Sequence, residues 1–136
     1  MDREDINTDY TETKWFIDLD WFQQNERSFP FLAQNCLCPK CRKRLKVDKK
    51  EATANDLLSA IKSCCSKAPG FIAPKMPALE SIFRLFLANG NQPLYLEELG
   101  KQLSKWRGGD TYRTSDEVLP RLLKNDCHYG LRQVQN

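Results

Sequence analysis

One histidine, His128, is all the imidazole this 136-residue chain has, and that scarcity removes most acid–base and nucleophilic constellations. No Ser-His-Asp arrangement can be assembled away from the carboxyl end. The six glycines form no phosphate-cradling loop. No stretch of about 18 apolar residues exists to cross a bilayer, so no membrane association is expected. The start MDREDINTDY has neither a basic region nor the apolar stretch of a secretory signal, and the expected address is cytoplasmic. There is no internal repeat and no low-complexity tract. In a reducing compartment thiols do not persist as disulfides, so six clustered cysteines point to metal.

What is present describes a chain able to bury a core: 40% hydrophobic, 29% charged, mean hydropathy −0.62. Its net charge of +3 is unevenly spread. Residues 1–30 hold three Lys/Arg against eight Asp/Glu, residues 31–74 nine against three, and residues 75–136 nine against seven. The positive charge therefore travels with the cysteines.

Hydrophobic periodicity divides the chain into an acidic, disordered N-terminus over residues 1–13, a metal-binding lobe over 14–68, a Pro/Gly linker over 69–77 and a second lobe over 78–136. In the first lobe, Trp15, Ile17, Leu19 and Trp21 alternate with Phe16, Asp18 and Asp20, which suits a short strand with one buried face. A helix beginning at Asp20 follows, and Phe29, Phe31 and Leu32 around Pro30 are expected to seal the lobe. Thr53 to Ser66 reads as a helix carrying Leu57, Leu58, Ile61, Cys64 and Cys65 on one face. In the second lobe, Leu79, Ile82, Phe83, Phe86 and Leu87 follow the i, i+3, i+4, i+7, i+8 rule between Pro77 and Gly90. Leu96, Leu99, Leu103 and Trp106 make another helix, Ser115 opens a third through Leu123, and YGLRQV closes the chain as a strand. The fold class is α+β, mostly helical.

Zinc takes four thiolate or imidazole ligands in a tetrahedron, and Cys-x-x-Cys on a tight turn presents two of them. Cys38-Pro39-Lys40-Cys41 has that form. The expected site is one structural Zn2+ held by Cys38, Cys41, Cys64 and Cys65. Five thiols compete for four positions, so a set of Cys36, Cys38, Cys41 and one of Cys64 and Cys65 is the competing choice. CPKC also looks like the active-site motif of thioredoxin-like oxidoreductases, which follows a strand and opens a helix; cysteines packed as small hydrophobes are the third reading. Cys127 and His128 stand alone and suggest no second site.

Around the knuckle crowd Lys40, Arg42, Lys43, Arg44 and Lys46. A bound metal would hold these cations rigidly, which suits contact with phosphates. From Pro77 onward, the order helix, PLYL, helix, helix, closing strand resembles the winged helix-turn-helix family of transcription regulators. That resemblance covers residues 77–136, with one strand where a full wing has two. It implies a three-helix, winged-helix-like lobe whose recognition position falls at Thr114 to Lys124, with Arg113, Arg121 and Lys124 as DNA contacts.

Ile17-Asp18-Leu19-Asp20 looks like the strand-borne aspartates that hold magnesium in haloacid-dehalogenase-like phosphatases and lesion-bypass polymerases. Those enzymes need further carboxylates around the metal, and the segment reads better as a solvent-facing strand edge. The expectation is a non-enzymatic, zinc-stabilised nucleic-acid-binding or transcription-regulatory protein with double-stranded DNA as candidate partner. The alternative is an adaptor that uses its zinc lobe and apolar surface on a protein partner.

Overall fold

Trp15 and Ile17 must be covered, and the chain covers them by making their strand the centre of a sheet. The computed structural model describes residues 13–45, 53–108 and 118–134. Strand β1, Lys14–Ile17, pairs antiparallel with β2, Leu94–Tyr95, on one side and β3, Leu131–Gln133, on the other. Trp15 lies opposite Leu94 and Gln133, and Ile17 opposite Leu131. The Asn91 amide accepts from Ile17 N at 2.9 Å and donates to Ile17 O at 2.9 Å, serving the strand where two-residue β2 has run out.

The strand ends because Asp18 accepts a hydrogen bond from Asp20 N and caps helix α1, Leu19–Gln24. The helix thus starts one residue earlier than the alternation predicts and turns Trp21 and Phe22 inward. Ser28 caps α2, Phe29–Ala33. Phe29 is buried there, whereas Phe31, expected to seal the core, is 66% exposed: on a helical turn the two phenylalanines point to different faces. A 3-10 turn over Gln34–Cys36 leads to α3, Pro39–Leu45.

Thr53 and Asp56 form a reciprocal capping box for α4, Ala54–Ser63. Helix α5, Ala78–Ala88, buries Ile82, Phe83, Leu85, Phe86 and Leu87 and stops where Gly90 adopts a positive φ of 77°. It packs against α4, β1 and α6, Leu96–Trp106. Helix α7, Val118–Lys124, sits between α6 and β3 and has Pro120 in its first turn. Gly130 has φ 69°, and a Cβ there would lie 2.6 Å from the Phe22 ring.

The molecule is α+β and mostly helical, with one small antiparallel sheet. Its sheet takes a centre strand from before the knuckle and both edges from beyond residue 77. One hydrophobic cluster runs from Trp15 through Cys41, Leu57 and Phe83 to Leu119 and Leu131. Phe71 and Ile72, inside the stretch expected as a linker, belong to it, and Arg84 and Arg107 hold that stretch through the carbonyls of Phe71, Pro74 and Met76. Among the described residues no helix is long and apolar enough to cross a membrane. The acidic stretch 1–12, the segment 46–52 and residues 109–117 lie outside the description, and with them Lys46, Arg113 and the expected start of the third helix at Ser115.

Candidate metal centre

Two chain turns meet at the cysteines. Cys38 precedes α3 and its carbonyl accepts from Arg42 N at 2.9 Å, so Cys41 follows one helical turn later on the inward face. Helix α4 ends as its backbone breaks at Cys64, with φ −131° and ψ −64°, and a 3-10 turn over Cys65–Lys67 follows. The two cysteines are therefore not on the helix face expected from periodicity. The break matters chemically: consecutive residues in a continuous helix diverge by about 100°, and leaving the helix lets both neighbours reach the knuckle.

The sulfurs of Cys38, Cys41 and Cys64 all lie within 4.8 Å of one another. Cys38 Sγ is 3.9 Å from Cys64 Sγ and 3.5 Å from Cys65 Sγ. A tetrahedral ion with metal–sulfur bonds of about 2.3 Å has sulfur–sulfur edges of about 3.8 Å, so this spacing suits three or four thiolates around one metal ion. Cys36 is placed elsewhere. It is buried beside Glu80, Phe83, Arg84 and Tyr129, lining a cleft of about 250 Å³ that opens past His128. Burial pushes its thiol up to about 11.

Polar groups already converge on the sulfurs. Cys38 N donates to Cys65 Sγ at 3.2 Å, and Arg44 Nη2 donates to Cys41 Sγ at 3.4 Å. The Cys41 backbone amide is the main cause that lowers Cys38 to about 7. Burial pushes Cys65 up to about 12, and hydrogen bonding with Cys41 raises Cys64. Cys38 is thus favoured as thiolate, whereas Cys64 and Cys65 are favoured as thiols. A cation among them reverses that preference for the thiol, because it compensates every thiolate at once.

The redox reading asks for a strand before CPKC. Here the motif opens a helix but follows a 3-10 turn. Asp18 and Asp20 serve the start of α1. Cys127 and His128 are exposed on the turn after α7, and among the described residues no second group of potential ligands converges.

Of the basic residues singled out, Lys40, Arg42, Lys43 and Arg44 are exposed on α3, and Arg121 and Lys124 are exposed on α7. Arg42 Nη2 also donates to Gln34 O at 3.0 Å. Two groups escaped the sequence reading. Asp126, 3% exposed, accepts from the amides of His128, Tyr129 and Leu131 and builds the turn into β3; the signal was an Asp four residues before a glycine. The Arg44–sulfur bond had the signal of i, i+3 spacing from Cys41. Against protein-family models, curated proteins and solved structures, the chain gives no match.

Proposed function

We propose that this chain is a nucleic-acid-binding protein of the transcription-regulatory kind, not an enzyme, whose structural Zn2+ is held by Cys38, Cys41, Cys64 and Cys65. The observation that carries the reading is the placement of four close thiols at the mouth of the most basic helix, α3. Thiolate-only donors in a reducing setting favour zinc over harder cations. A metal there makes α3, which carries Lys40, Arg42, Lys43 and Arg44, a short rigid element, and those of its cations not bonded within the protein contact phosphates without sequence choice.

A winged-helix-like arrangement gives the second set of contacts. Helix, strand, helix, helix and strand run in that order through α5, β2, α6, α7 and β3. The strand missing from the wing is supplied by β1, which lies between β2 and β3. In this reading α7 takes the recognition position, and Arg121 and Lys124 face DNA.

The test is fluorescence anisotropy with duplex DNA across a salt series. Affinity should fall steeply from low to moderate salt, and metal analysis should give close to one zinc per chain. Salt-insensitive or absent DNA binding favours the adaptor reading instead. The exposed Phe31, Trp106 and Val118 are the observation behind that second reading.

A further inference from the structure

The basic helix α3 does not present its four cations alike. At about 100° per residue, Cys41 and Leu45 share the inward face, and both belong to or pack against the core. Lys40 and Lys43 project from the opposite side, one turn apart. Arg42 and Arg44 flank the inward face, and each is already spent on the protein: Arg42 Nη2 on the carbonyl of Gln34 at 3.0 Å, Arg44 Nη2 on the sulfur of Cys41 at 3.4 Å. No ion pair among the described residues engages Lys40 or Lys43.

We infer that α3 divides its charge between two jobs, with Arg44 acting as a positioning residue of the metal centre and Lys40 and Lys43 as the phosphate-contacting pair. This rests on the proposed zinc reading and deepens it. Four thiolates on a dication leave two negative charges at the corner. A guanidinium against one sulfur offsets part of that charge and fixes the sulfur's direction, as outer-shell donors do for metal ligands. Lysine is a flexible point charge and suits sequence-blind phosphate contact. Arg42 belongs with Arg44 by its geometry, since its bond ties α3 to the turn before the knuckle.

The experiment uses the full chain with two readouts: zinc affinity by competition against a chromophoric chelator, and the salt slope of duplex-DNA binding at saturating zinc. Arg44→Ala should weaken zinc binding by about 10–100-fold and leave the salt slope unchanged. Arg44→Lys, which keeps the charge, should recover more of the affinity than Arg44→Gln, which keeps donors alone. Lys40→Ala with Lys43→Ala should leave zinc affinity unchanged and make the slope shallower by about 2. Unchanged zinc affinity in Arg44→Ala overturns the inference, whether or not its salt slope drops. Circular dichroism of the zinc-saturated variants excludes a folding defect, and Arg44→Gln repeats the measurement should the alanine variant misfold. Zinc binding without DNA binding removes the nucleic-acid proposal while the Arg44 readout stands. A chain that binds no zinc sinks both.

Discussion

The corner where α3 meets the end of α4 and the core around α5 are held by different forces. Around α5, Ile82, Phe83, Leu85, Phe86 and Leu87 are each 1% exposed or less, and burying one such side chain stabilises by about 1.5–3 kcal/mol. At the corner the inward groups are small thiols with Leu45 beside them, and its polar contacts are single bonds to sulfur. A helix of seven residues is too short to stand on its own hydrogen bonds. The apolar region is stable by area, whereas the corner needs a cross-link. The proposed metal would supply one without requiring more core than a 136-residue chain can spare.

Removing the proposed metal is the hardest blow to that contrast. Structural zinc sites are worth about 10–16 kcal/mol in small metal-folded peptides near neutral pH. Chelation, or Cys38→Ser, should release hydrogen-exchange protection across α3 and the 3-10 turn at Cys65–Lys67, while the α5 amides stay protected. Equal loss in both places would show that corner and core form one cooperative unit. Protons compete with metal for thiolate, so the release should come at lower chelator concentration as pH falls.

Phe86→Ala makes the reciprocal cut. Phe86 is 0% exposed, and large-to-small changes at such sites cost about 3–5 kcal/mol. Urea unfolding should show the loss at unchanged zinc content. Metal content falling in step with stability would argue against independent regions.

Asp126→Ala tests a third kind of glue. It leaves the amides of His128, Tyr129 and Leu131 without their acceptor, at about 1–3 kcal/mol for each buried donor that water cannot reach. The loss should register at β3 and β1 by hydrogen exchange, since β3 pairs with β1, and the corner should be unmoved.

How much of this was legible follows from how local each feature is. The α5 stripe could be read because the helical period repeats within a few residues of itself, and Cys38-Pro39-Lys40-Cys41 because its geometry is set by one turn. Pairing of β1 with β2 and β3 joins residues about 80 and 116 positions apart in sequence, and no local pattern carries that. Exposure of Phe31 was hidden because Phe29 and Phe31 stand on a five-residue helix, where positions two apart point to different faces. The Cys64–Cys65 half of the centre depended on a helix ending at Ser63, three residues before the periodic pattern would end it.

The smallest expected effect falls where the two regions join. Helix α4 buries Leu57 and Ile61 in the core and delivers Cys64 and Cys65 to the corner, so its N-terminal cap supports both. Thr53→Ala removes the bond to Asp56 N at 3.1 Å and the reciprocal geometry of the capping box, costing about 1 kcal/mol. The cap lies at the end of α4 away from the cysteines. Its loss should therefore lower the thermal midpoint by a few degrees in the zinc-bound and zinc-free forms alike, and leave zinc affinity as it was. A change confined to the zinc-bound form would mean that strain at Thr53 passes through ten helical residues to the sulfurs, and that α4 is a lever between the regions instead of a common wall.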